Sequence, residues 1–256
     1  SIAALLRAIA ALLSRQDAAA ELIDWGRQLH ERFALPFYLR QDLDQVLMDL
    51  ESAGLGLAEP ITRCLRDDSS RRIGHTDIGN CRLEVDQAIE FWPLLGDAAS
   101  QEGGSSRLVD ASTTRLQLSL RPTSGNISEL DGWQLLADDY RLPLRDEQDE
   151  RGALRVMGLR YRSFVPWTGL HPGIGAQAPV VLTLVPPAGG NGLRITLHEW
   201  QPQAAPYQGL PATFEEAGRR RSERFVVEEL LLDPAHETQA PPAEALSDYC
   251  LDLRRT

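Results

Sequence analysis

The hydrophobic period of this chain changes near residue 70, and that change constrains the fold more than anything else in it. Upstream, apolar residues recur at helical spacing: Ile2, Leu5, Leu6, Ile9, Leu12 and Leu13 share one face. Most other positions there are alanine, so the spacing predicts a buried helix. Asp17 can cap a second helix carrying Leu22, Trp25, Leu29 and Phe33, which Pro36 ends. A third is expected from about Leu39, stopping at Gly54, with a short helical piece after Pro60.

Downstream the period is two. Cys81, Leu83 and Val85 alternate with Arg82, Glu84 and Asp86, and Leu116, Leu118 and Leu120 alternate with Arg115, Gln117, Ser119 and Arg121. Trp133–Leu136 and Tyr140–Leu144 read as short strands, and Asp146–Arg151 as a charged turn. From Leu154 to Val165, Val156, Gly158, Arg160 and Arg162 fall on one face and Met157, Leu159, Tyr161 and Ser163 on the other. That pattern predicts a strand with one buried side. Gly189-Gly190-Asn191-Gly192 separates Val180–Val185 from Leu193–Trp200, a hairpin signal. Thr213 and Glu216 form a capping-box pair, opening a helix expected from Phe214 to about Glu229. The fold class is therefore α+β: an N-terminal helical unit, then a β-rich, sandwich-like antiparallel domain closed by a C-terminal helix. The expected division is 1–70, 71–232 and a loose tail, 233–256, in which Tyr249 and Leu251 can dock.

Net charge is −11, which argues against nucleic acid as a partner. All 26 basic residues are arginine, which excludes a Schiff-base lysine and a Walker-type phosphate loop within this chain. Side-chain anion binding then falls to arginine, whose fork suits carboxylate and phosphate. Cys64, Cys81 and Cys250 are widely spaced, with neither a zinc ribbon nor a disulfide framework in view. No apolar run is long enough to span a bilayer, and a cytoplasmic location is the expectation. The chain opens without Met inside a helical pattern, as a piece of a longer protein would.

Several residues carry candidate chemistry, each weighed against a plainer role. Arg160 and Arg162 share a strand face and could clamp a carboxylate or phosphate, although an ion-paired face is the simpler reading. Asp110 and Arg115 can pair with each other. His171 sits in a Gly- and Pro-rich loop, as a ligand or as an ordinary hydrogen-bonded loop residue. Glu84 and Asp86 share a face and could hold Mg²⁺ only with a further partner. His75 and His198 lack a zinc-type spacing partner, so no metal is assigned. The Arg219–Arg221 run reads as a solvated helix face, and no catalytic residue is assigned.

Segments in order resemble the C-terminal part of a bacterial family known as domain of unknown function 2126, classed as amidoligases. Trp25-Gly26-Arg27-Gln28-Leu29-His30-Glu31-Arg32-Phe33-Ala34-Leu35-Pro36 is similar to its WG-x-x-LH-[DE]-RF-x-LP run. Leu83-Glu84-Val85 with Ala88–Gly96, Val109–Gln117, Gly158–Arg162 with Leu170-His171-Pro172, and Glu215–Arg221 resemble further family segments. The family's HPGGR stretch is replaced by Gln201-Pro202-Gln203-Ala204-Ala205, and one of its histidines by Gln177. The resemblance implies a glutamine-synthetase-like or glutamate–cysteine-ligase-like amidoligase that activates a carboxylate with ATP and Mg²⁺ and joins it to an amine. Residues 1–70 would end that ligase domain, and the Mg²⁺–ATP carboxylates are expected upstream. It also implies fusion to, or partnership with, upstream ligase and transglutaminase-like domains, and a peptide or amino-acid-like substrate. In this chain, inactive alone, the β-rich half would support the site or place the substrate, with Arg160, Arg162 and His171 in contact and Asp110 and Arg115 beside them. The alternative is a non-catalytic protein-interaction module.

Overall fold

A computed structural model describes residues 2–15, 24–26, 28–90, 112–165, 173–203, 205–232 and 238–256. The two-residue alternation builds two sheets packed face to face. One contains β1 (Arg72–Ile78), β2 (Cys81–Gln87), β3 (Thr113–Pro122), β6 (Arg145–Asp149), β7 (Gly152–Arg162) and β11 (Cys250–Asp252). Its order is β1-β2-β3-β7-β11, with β6 also paired to β7. The other contains β4 (Gln134–Ala137), β5 (Tyr140–Arg141), β8 (Val180–Val185), β9 (Gly190–Leu197) and β10 (Phe225–Leu232), in the order β10-β9-β8-β4-β5. All pairings between these strands are antiparallel except β11 with β7. β8 and β9 form the expected hairpin, with Gly189 and Gly190 at positive φ.

Inward residues from both sheets fill the space between them. Leu116, Leu118 and Leu159 meet Leu135, Leu182 and Ile195 in one cluster. Each such side chain contributes roughly 1.5–3 kcal/mol of apolar burial. The outer face of the first sheet is covered in turn. Leu35, Phe37 and Tyr38, where α3 (Pro36–Ser52) begins, pack on Leu154, Val156 and Tyr249. β7 is thus buried on both faces, not one.

The helical portion departs from expectation in its ends and exposure. α1 (Ile2–Arg15) forms, but it is not buried: Ile2, Leu6 and Leu13 are exposed. It touches α3, and Arg15 Nη1 donates to the Ala53 carbonyl at 3.3 Å. The second helix is described only as α2 (Gln28–Arg32). Pro36 does not end that helix but begins α3, where its fixed φ and missing N–H suit the first turn. α3 ends with Gly54 at φ +70° and the Leu55 N–H donating to the Leu50 carbonyl, a glycine-based stop. α4 (Glu59–Arg66) follows Ala58.

Three further expectations are corrected. Asp146–Arg151 is largely β6 rather than a turn, because the β7 edge offers it a ladder. α5 (Phe214–Ser222) stops before Glu223, since Phe225-Val226-Val227, aromatic and β-branched, enter β10. The helix is therefore followed by strands β10 and β11. Residues 238–256 are not a loose tail: β11 adds to β7, and Tyr249, Leu251 and Leu253 are buried. Gly158 permits this approach, because a Cβ there would stand 2.8 Å from the Tyr249 carbonyl oxygen. No described helix is long and apolar enough to cross a membrane.

Candidate functional site

β3 points Leu116, Leu118 and Leu120 into the sandwich and Arg115, Gln117, Ser119 and Arg121 outward. Outward-facing polar residues normally meet water, yet all four are buried. The start of α3 covers them. The Phe37 N–H, an orphan donor at the helix N-terminus, donates to Gln117 Oε1 at 2.8 Å, and Gln117 Nε2 donates to Ser119 Oγ at 3.3 Å. Two polar cavities flank this anchor.

The first, of about 500 Å³, holds Glu84, Asp86, Arg72, Arg121, Asp149 and Arg151 in its lining. Glu84 is almost fully buried and accepts from three arginines: Arg72 Nη2 at 3.1 Å, Arg121 Nε at 3.2 Å, and Arg151 Nη1 and Nη2 at 3.2 and 3.1 Å. Burial pushes its carboxyl up, and the three guanidinium groups more than offset that and hold it below the ordinary range. Burial dominates at Asp86 and raises it, although Arg72 Nε donates to it at 2.5 Å. Arg121 also forks Asp149. These carboxylates are committed to arginine. Among the described residues no group of three His, Cys, Asp or Glu could hold a metal ion, so Glu84 and Asp86 do not fit Mg²⁺.

The second cavity, a basin of about 590 Å³, is lined by Arg115, Arg160, Asp252, Glu31, Asp248 and Ser247, among others. β3 and β7 place Arg115 and Arg160 directly opposite each other. Arg160 is fixed: Nε and Nη2 donate to the two oxygens of Glu90 at 2.7 and 2.8 Å, and Nη1 lies 3.7 Å from Asp252 Oδ2. Burial raises Asp252, but Arg254 and Arg160 hold its carboxyl below the ordinary range, so it stays ionised at neutral pH.

Arg115 is different. Its side chain is 5% exposed, and its nearest carboxylate oxygen, on Glu90, is 3.8 Å from Nε. Among the described residues Nε and Nη1 find no hydrogen-bond acceptor. Buried guanidinium donors are ordinarily paired, so this cation is placed to receive an anion from the basin. Glu31, Glu244 and Asp248 on the same basin could receive an ammonium group.

Of the residues singled out by sequence, Arg115 and Arg160 are brought together. Arg162 lies two pairs further along β7, opposite Thr113, and does not line the basin; its backbone N–H donates to Gln177 Oε1 at 2.6 Å. His171 and Asp110 lie outside the described residues, as does the proposed Asp110–Arg115 pair. Glu90, Gln117 and Asp252 were not singled out. Gln117 left a trace, a polar residue inside an alternating strand, whereas Asp252 left none, because its role depends on where β11 docks. Cys81 and Cys250 are buried, and burial pushes both thiols up to about 12, so neither is a thiolate at neutral pH.

Residues 2–254 match a family model described as "Putative amidoligase enzyme (DUF2126)". No curated protein and no solved structure matches the chain.

Proposed function

Because the chain belongs to this amidoligase family, we propose that it takes part in joining a carboxylate to an amine, and that its share is to place the substrate in the Arg115–Arg160 basin. The observation that carries this reading is Arg115, buried on the basin with two donors, Nε and Nη1, that no described residue takes. Arg115 would hold a substrate carboxylate through a guanidinium fork. Arg160, locked by Glu90 and Asp252, would keep Arg115 from collapsing onto Glu90. Glu31 and Asp248 on the same cavity would take an ammonium group, so an amino acid or a peptide end fits better than a simple anion.

ATP with Mg²⁺ is the activating pair that such a ligase uses. Glu84 and Asp86 are saturated by arginine and do not fit the metal. Nucleotide activation would fall to partner ligase or transglutaminase-like domains. The alternative of a non-catalytic interaction module draws support from exposed apolar side chains between Trp200 and Phe214.

The test is calorimetric titration of glutamate, glutamine and short unblocked peptides into the chain. Saturable binding that weakens about tenfold or more in Arg115→Met is expected, since a charge-assisted fork contributes roughly 1.5–3 kcal/mol. Binding that survives in that variant, or none in the wild type, overturns the reading.

A further inference from the structure

The third arginine-rich cavity of this molecule is separate from the Arg115 basin and shares Arg71 with the first cavity. It measures about 440 Å³ and is lined by Arg71, Arg220, Arg221, Arg224, Trp200 and Tyr207, among others. Four arginines and a single carboxylate, Glu199, line it, in a chain whose net charge is −11. Local charge therefore runs against global charge, which marks a surface for an acidic partner.

The arginines divide by role. Arg220 is held in place: it pairs with Glu216, donates from Nη1 to the Gly209 carbonyl at 2.7 Å, and lies 5.0 Å above the Tyr207 ring. Arg219 turns away to Glu223. Among the described residues Arg221 makes no such pair, and it lines the cavity. Arg71 has only a 3.5 Å contact with Asp68. Arg224 gives Nη1 to the Glu199 carbonyl at 3.3 Å, and its buried Nε has no acceptor. Three guanidinium groups are thus available on one opening.

The apolar surface beside them is larger than a small anion could cover. Trp200 on the cavity is 52% exposed, and Leu210 and Phe214, flanking the Pro211 that lines it, are 92% and 90% exposed. Exposed aromatic groups interleaved with arginine are the composition of a protein-recognition surface.

We infer that this cavity docks an acidic peptide segment of a partner protein, with carboxylates on Arg71, Arg221 and Arg224 and an apolar side chain against Trp200. The inference is independent of the ligase reading, because none of these residues lines the Arg115 basin.

The experiment is fluorescence anisotropy with a short peptide alternating glutamate with leucine and phenylalanine, its N-terminus blocked by fluorescein and its C-terminus by an amide so that it offers the Arg115 basin no peptide end. Saturable, salt-sensitive binding is expected, weakened about tenfold or more by Arg71→Glu with Arg221→Glu, weakened by Trp200→Ala, and unchanged by Arg115→Met. A lysine-for-glutamate peptide should bind the charge-reversed variant and not the wild type, a gain that a misfolded variant could not give. Equal binding of a glutamine-for-glutamate peptide overturns the inference as mere apolar adhesion. Displacement by free glutamate or inorganic phosphate at concentrations similar to the peptide's overturns it in favour of a small-anion site. Absence of binding to the wild type overturns it outright.

Discussion

Arg115 and Glu84 are both buried charges on the outer face of one sheet, and their surroundings set opposite expectations. Among the described residues Arg115 has donors without acceptors, so removing its charge relieves the fold. Arg115→Met, close in volume, is expected to leave stability unchanged or raise it by about 1–2 kcal/mol, read by urea unfolding. Paired with lost ligand binding, that outcome is the trade between stability and activity typical of binding sites. Glu84 is the common acceptor of Arg72, Arg121 and Arg151. Glu84→Ala leaves three guanidinium groups without it, and a loss of about 3–5 kcal/mol is expected in the same assay. The pH dependence follows from the same groups. The folded carboxyl of Glu84 lies below its unfolded value, so its stabilisation is complete above the ordinary carboxylate range and is lost as pH falls through the folded value. Asp86 is raised, so its share is present below the unfolded value and is lost as pH rises. Glu84→Gln should flatten the acid fall in stability, and Asp86→Asn should steepen it, as followed by melting temperature against pH.

Among the elements, β7 and β11 show the reach and limit of reading structure from sequence. The alternation of Met157, Leu159 and Tyr161 against Gly158, Arg160 and Arg162 specified β7 directly, as did the glycines of the β8–β9 hairpin. It did not show that both faces would be buried, because burial of Val156 depends on α3 arriving from far along the chain. β11 is three residues long, too short for any periodicity to show. β10 was hidden behind the helix-forming run of α5, whose end is set by pairing with β9 rather than by a breaker residue. The candidate site was legible in the same partial way. Arg160 was visible as sharing a face with Arg162, and Arg115 as a partner for Asp110, but the pairing of Arg115 with Arg160 across β3 and β7 required the sheet register. Gly158 gives the element-scale test. Gly158→Ala drives a Cβ against the Tyr249 carbonyl and Leu35, and should destabilise the fold by about 1–3 kcal/mol. Hydrogen exchange should report the effect first at Gly158, whose N–H donates to Tyr249 O at 2.8 Å.

For the molecule as a whole, the sandwich, the helices and the final segment form one dependent arrangement. Tyr249 meets the edge of Tyr38 at 5.2 Å between ring centres, tying the final segment to α3 across the outer face of the sheet. Removing residues 243–256 should therefore abolish ligand binding in the basin while leaving Arg115 and Arg160 in the chain, and should lower the melting temperature. Retained binding in the truncated protein would place the receptor elsewhere. The parallel addition of β11 to β7 also has a consequence for synthesis. The ribosome releases Arg115 and Arg160 well before Asp252, and the basin lacks a wall throughout that interval. A translation product stalled before Asp252 would carry both arginines yet have no closed receptor, so ligand capture would report that the message had been read through Asp252.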